Sequence, residues 1–217
     1  MPQLQIPPFY PIIDTGFLAR IGVEPAVLAR AIVEGGARIA QFRHKGPYSR
    51  AVFEQAEEVA AILRTAEIPL LINDRADIAL MVAAGGVHVG QDDLQVSKVR
   101  LLVGDSLAIG LSSHNEDQLR AGSPTTADYL AIGPIFQTVS KENPDPQVGV
   151  SRLRELRRVS RKPLVAIGGI ERSNARRVLA AGADSVAVIS DLGRTDLGRS
   201  DLTSRVREWV ELTRPDL

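Results

Sequence analysis

Asn73-Asp74-Arg75 and Gly90-Gln91-Asp92-Asp93 are the two segments whose residue types point most directly to chemistry. Each follows a short aliphatic run, Pro69-Leu70-Leu71-Ile72 and Gly86-Val87-His88-Val89. Acidic loops at the ends of consecutive buried strands can bring two carboxylates together over one rim of a sheet. Oxygen-only ligands in that arrangement suit Mg²⁺, which keeps several waters and usually shares its shell with substrate phosphates. Asp74 and Asp93 are the expected metal ligands. The alternative is that each acidic residue simply caps the helix after its strand, as Asp and Asn commonly do. The cap is the stronger reading for one loop alone. For both together, beside the basic residues that follow, the metal is.

Other strand ends carry matching groups. In Gln41-Phe42-Arg43-His44-Lys45, extended-chain alternation puts Gln41, Arg43 and Lys45 on one face and Phe42 and His44 on the other. An amide, a guanidinium and an ammonium in a row can cradle a multiply anionic ligand. Ser112, in Gly110-Leu111-Ser112-Ser113-His114, can donate to a substrate, whereas His114 reads equally well as a polar residue beside a helix start. Thr138, Ser140 and Lys141 follow Gly133-Pro134-Ile135-Phe136 in a long polar loop suited to phosphate and to closing over a site. Gly168-Gly169 would let an oxyanion approach backbone N–H groups, and Ile189-Ser190 ends the last strand. His88, within a strand, reads as a satisfied core histidine. The tally is a diphosphate cradle (Arg43, Lys45, Lys141 and Mg²⁺ on Asp74 and Asp93) and a separate monophosphate site (Gly169, Ile189, Ser190).

The elements that must position these groups alternate. Strands are expected near 11–14, 38–43, 69–73, 86–90, 107–112, 129–135, 163–168 and 185–190. Helices are expected near 25–35, 49–66, 76–84, 95–103, 115–121, 150–160, 172–181 and 202–213. The 49–66 segment is clearest, with Val52, Ala56, Val59, Ala60 and Leu63 along one stripe. Near-continuous aliphatic strands joined by helices mean a parallel sheet covered by helices. Eight such units in 217 residues predict a single (β/α)₈ TIM barrel over residues 10–217, preceded by an extended arm, 1–9. An open doubly wound sheet is the rival, but no Gly-x-Gly-x-x-Gly follows the first strand.

Bulk composition narrows the classes. Lys plus Arg and Asp plus Glu are 26 each, so no net field attracts nucleic acid or an anionic membrane. The absence of cysteine excludes disulfides, thiolate metal sites and a cysteine nucleophile. No signal-like N-terminus and no membrane-length apolar run is present, so a cytoplasmic enzyme acting on small phosphorylated molecules is expected. The oligomeric state is not legible.

Taken in order, these motifs resemble those of the thiamine-phosphate synthase family. The resemblance rests on Gln41-Phe42-Arg43-His44-Lys45, Asn73-Asp74-Arg75, Gly86 to Asp93, Gly110 to His114, Gly133 to Lys141 and Gly168-Gly169-Ile170, and spans about Tyr10 to Ser190. It implies a Mg²⁺-dependent transferase that joins hydroxymethylpyrimidine diphosphate to a thiazole phosphate, releasing pyrophosphate. It also implies a dissociative substitution in which the thiazole nitrogen traps a pyrimidine-stabilised cation. Carried over by position, it assigns Gln41, Arg43, Lys45, Asn73, Ser112 and Lys141 to the pyrimidine diphosphate, with Lys141, Arg43 and Ser112 acting in catalysis. Thr138, Ser140, Gly169, Ile189 and Ser190 go to the thiazole phosphate, and Asp74 and Asp93 to the metal. His44 stands where the family usually has glutamate, on the face away from Arg43. A tautomerase-like isomerase and a non-catalytic barrel binding phosphorylated ligands are the competing readings.

Overall fold

Eight short aliphatic strands pair in sequence order, and the last returns to the first. In the computed structural model, which describes residues 4–138, 145–193 and 202–215, these are β1 (Phe9–Asp14), β2 (Ala40–Arg43), β3 (Leu70–Asn73), β4 (Gly86–Val89), β5 (Ala108–Ser113), β6 (Tyr129–Ile132), β7 (Leu164–Ile167) and β8 (Ser185–Val188). All pairs are parallel, and Pro11 against Val188 closes the ring, so the molecule is the expected (β/α)₈ barrel. Around it lie α1 (Thr15–Arg20), α2 (Pro25–Gly35), α3 (Arg50–Thr65), α4 (Ala76–Met81), α5 (Val96–Val103), α6 (Glu116–Gly122), α7 (Val150–Leu156), α8 (Ala175–Ala180) and α9 (Leu202–Leu212). Among the described residues no helix is long and apolar enough to cross a membrane.

Alternation along each strand divides the core into two layers. Outward-facing Ile13, Phe42, Ile72, Val87, Ile109 and Val186 pack under the helices. Inward-facing Tyr10, Ile12, Ile39, Leu71, Tyr129 and Val165 fill the lumen. On α3 the buried residues are Ala56, Val59, Ala60 and Leu63, four of the five in the expected stripe. Burying each such Leu or Ile stabilises the fold by about 1.5–3 kcal/mol. Trp209 of α9 closes the wall, stacked 5.4 Å from the Phe9 ring, with its indole N–H donated to Asp191.

Several boundaries differ from the sequence expectation. β1 begins at Phe9, inside the expected arm, because Phe9 pairs with Val186 and is buried. Helix α1 was not expected. Asp14 ends β1 and at once accepts the Phe17 N–H at 2.7 Å, starting a helix in place. The expected 150–160 helix tightens into a 3₁₀ turn at Arg157–Val159. The expected 172–181 helix starts only at Ala175, after Asn174 has folded its side chain back onto the Glu171 N–H at 3.0 Å.

Candidate active site

The C-terminal ends of the strands surround a cavity of about 440 Å³. Its wall includes Gln41, Arg43, Lys45, Asn73, Asp74, Asp93, Ser112, Thr138, Gly169, Ile189 and Ser190. Every sequence-expected site residue within the described segments therefore lines one hollow. Ser140 and Lys141 lie outside the described residues. A larger hollow, about 1350 Å³, opens at the opposite end of the barrel beside Leu4–Pro8. Arg100 on its wall is already spent on Asp128 and on the carbonyls of Gly104, Leu107 and Thr126, and Arg64 donates to the Val82 carbonyl.

Alternation in β2 works as expected. Gln41 points into the lumen and donates to the Tyr10 hydroxyl at 3.1 Å. His44 faces away, with Nδ1 2.8 Å from the Thr15 hydroxyl and its ring edge-on to Tyr48. Arg43 donates to Asp14, its register partner across β1 and β2. That contact was not anticipated, and it makes Asp14 both a helix cap and the anchor of the guanidinium. Lys45 reaches over β3 and donates to Asp74 at 2.5 Å.

The two acidic loops converge. Asp74 adopts a left-handed backbone (φ 65°), with its N–H donated to the His88 carbonyl at 2.7 Å. A non-glycine residue in that region is strained, and such strain gathers at functional sites. Burial raises the Asp74 carboxyl above the ordinary carboxylate range. The bond from Lys45 opposes that rise, and the adjacent Asp93 carboxylate adds to it from hydrogen-bonding distance. Asp93 is held in turn by the Gly90 N–H at 2.7 Å. The competing helix-cap reading does not hold. Arg75 and Gln95 occupy the N-cap positions of α4 and α5, and neither helix has a side-chain cap bond. Arg75 itself turns outward to Asp77 and lies 4.9 Å over the Tyr48 ring.

These residues fit a small hard cation. Two like charges pressed together in a partly desolvated site gain most from a shared counter-ion. Among the described residues no cluster of three or more His, Asp or Glu side chains could enclose a metal. A site supplying two carboxylates and leaving the remaining positions to water and phosphate oxygens is the Mg²⁺ pattern. Beside it, the buried Asn73 amide nitrogen has no hydrogen-bond partner. An unsatisfied buried donor costs about 1–3 kcal/mol, and Asn73 is one of the residues lining the cavity.

Across the mouth, Gly169 (φ 62°) allows a turn that no side chain could occupy, since a Cβ there would lie 2.4 Å from the Gln137 carbonyl oxygen. Ser190 opens a 3₁₀ turn and lines the same cavity. His114 donates Nδ1–H to the Gly133 carbonyl at 2.7 Å and stands 3.4 Å from Asp145. It borders the cavity as a tethered rim residue.

The lumen floor holds residues that the sequence reading left out. His88 bonds Tyr129 through Nδ1 and Ser112 through Nε2, both at 2.8 Å. Burial pushes its pKa down to about 4, so the ring is neutral at physiological pH. Burial likewise pushes the Tyr10 hydroxyl up to about 12. The expectation of a satisfied histidine is correct, but the groups satisfying it belong to the cavity. Inward strand parity, applied to the scarce aromatics Tyr10 and Tyr129, would have flagged this floor, because a buried tyrosine hydroxyl needs a partner.

A barrel whose mouth joins a carboxylate pair, a basic row and a glycine turn is an enzyme for phosphorylated small molecules. The chain belongs to the thiamine monophosphate synthase family, whose model matches residues 9–192. It is 48% identical over 194 residues to the thiamine-phosphate synthase of Koribacter versatilis, covering 87% of this chain and 90% of that protein. It is 42% identical over 199 residues to that of Chloroflexus aurantiacus, covering 92% and 89%. The solved thiamine phosphate pyrophosphorylase from Pyrococcus furiosus superposes with a TM-score of 0.81 at 30% identity, covering 94% of each chain. The protein is thus a transferase of thiamine biosynthesis.

Proposed function

We propose that the cavity binds hydroxymethylpyrimidine diphosphate with its diphosphate toward Arg43, Lys45 and the Asp74–Asp93 pair, and a thiazole phosphate with its phosphate toward Gly169 and Ser190. The observation that carries this reading is the meeting of the Asp74 and Asp93 carboxylates beside Lys45. Asp74 and Asp93 would hold Mg²⁺, which when bound supplies positive charge against the leaving diphosphate. Arg43 and Lys45 donate to the diphosphate oxygens, and Asn73 lines the same wall of the cavity. Ser112 donates to the diphosphate as well, and Gln41 orients the pyrimidine ring over the lumen floor. The C–O bond to the diphosphate breaks, the thiazole nitrogen takes the freed carbon, and pyrophosphate leaves.

This chemistry asks the protein for electrostatic stabilisation and alignment more than for a general base. A cavity of about 440 Å³ is large enough for a drug-sized ligand. Thr138 and Ser140 are assigned to the thiazole phosphate, and Lys141 to the diphosphate as it departs. On this reading the enzyme works in the cytoplasm.

The test is to incubate the purified chain with both phosphorylated halves, with Mg²⁺ or with a chelator. Thiamine phosphate and pyrophosphate should form in equal amounts only with the metal. Absence of product under both conditions would overturn the assignment, and turnover of the thiazole phosphate alone would point to an isomerase.

A further inference from the structure

Four hydrogen bonds cross the barrel beneath the site. They run from Gln41 Nε2 to the Tyr10 hydroxyl (3.1 Å), on to the Tyr129 hydroxyl (3.1 Å), to His88 Nδ1 (2.8 Å), and from His88 Nε2 to the Ser112 hydroxyl (2.8 Å). Gln41, Tyr10, His88 and Tyr129 are all buried. Room for the central link is made by Gly110, where a Cβ would lie 2.4 Å from both His88 Nδ1 and the Tyr129 oxygen. The two ends of the chain, Gln41 and Ser112, both line the cavity.

Tyr10, Tyr129, neutral His88 and Ser112 each have one proton to give, so with every buried hydroxyl proton paired the direction of one bond sets the others. The Gln41 amide nitrogen can only donate. Tyr10 must then give its proton to Tyr129, and Tyr129 must give its own to His88 Nδ1. A neutral imidazole accepting at Nδ1 carries its proton on Nε2 and donates it to Ser112. Ser112 is left with its own O–H free for the cavity. In the reverse sense Ser112 would spend that proton on His88 and offer only lone pairs to a diphosphate, which has nothing to donate. The direction that Gln41 imposes is thus the one an anionic ligand needs.

We propose that Tyr10, Tyr129 and His88 are positioning residues whose one-way hydrogen-bond chain holds His88 as the Nε2–H tautomer and makes Ser112 a dedicated donor to the bound substrate. At the other end, Gln41 keeps its carbonyl oxygen and its second Nε2–H for the ligand. The kinetic part of this inference rests on the synthase reading above, but the tautomer does not.

Imidazole ¹⁵N NMR of the ligand-free protein, with and without pyrophosphate, reads the tautomer directly. His88 should show a protonated Nε2 and a bare Nδ1 in both states. A protonated Nδ1 would overturn the proposal whether or not the chain makes thiamine phosphate. Tyr129→Phe should give a mixture of His88 tautomers and lower kcat about tenfold, the worth of one well-placed hydrogen bond. In a Ser112→Ala background the same substitution should cost little further, because its effect passes through Ser112. Additive losses in the double variant would mean that Tyr129 only supports the fold.

Discussion

Replacing Asp14 by asparagine separates the two tasks of that residue. Asparagine keeps an oxygen for the Phe17 N–H, so the cap of α1 survives. What disappears is the charge facing Arg43. The Asp14 and Arg43 side chains retain only 8% and 18% exposure, so the pair is close to buried. Removing one partner of a fully buried pair costs about 3–5 kcal/mol. The partial exposure of the guanidinium lowers this to about 2–3 kcal/mol. For a chain of 217 residues, that corresponds to a Tm lower by roughly 5–10 °C. Thermal unfolding followed by circular dichroism measures it. Pyrophosphate should restore more stability to Asp14→Asn than to the unaltered protein, since the anion gives Arg43 the partner it has lost. A Tm within about 2 °C of the original, or an equal gain from pyrophosphate in both proteins, would refute the reasoning.

Four further outcomes are expected. Asp93→Asn should reduce kcat on the order of 10²-fold and raise the Mg²⁺ concentration needed for half activity; full turnover with an unchanged metal requirement would remove Asp93 from the site. Without metal, the raised Asp74 carboxyl makes the folded chain bind more protons than the unfolded one between the ordinary carboxylate range and its own pKa. Stability attributable to Asp74 should therefore fall as pH rises through that window, and denaturant titrations of Asp93→Asn should show a narrower window. His44→Glu should leave kcat/KM within about threefold, a change worth under 1 kcal/mol, because His44 faces Thr15 and Tyr48; a loss above tenfold would place it in the site. Asn73→Ala should weaken binding of the diphosphate substrate with little change in Tm, since the Asn73 amide nitrogen makes no bond that stabilises the free protein.

The barrel was legible because its signals are local. Aliphatic strands, the stripe on α3 and parity in Gln41-Phe42-Arg43-His44-Lys45 all repeat within a few residues, and the structure follows them. The convergence of Asp74 and Asp93 was also readable, because consecutive parallel strands deliver their loops to the same rim. What escaped depends on register or distance. Asp14 at a strand end looks like a helix cap, and only the pairing of Asp14 with Arg43 across β1 and β2 gives it a second role. The Tyr10–Tyr129 bond joins residues 119 positions apart, through a lumen that no window of sequence contains. His88 could be placed inside the barrel from its neighbours, but its partners could not. The late start of α8 had the opposite cause, a side-chain bond from Asn174 too short-ranged for periodicity to detect.

The central claim is that Asp74 and Asp93 jointly clasp the ion that draws the diphosphate into the cavity. Calorimetric titration of pyrophosphate, with and without Mg²⁺, tests it on the unaltered protein and on Asp93→Asn. If the claim holds, metal and pyrophosphate strengthen each other's binding by the same factor in the unaltered protein, and that mutual gain vanishes in Asp93→Asn. Coupling of equal size in both proteins would contradict it.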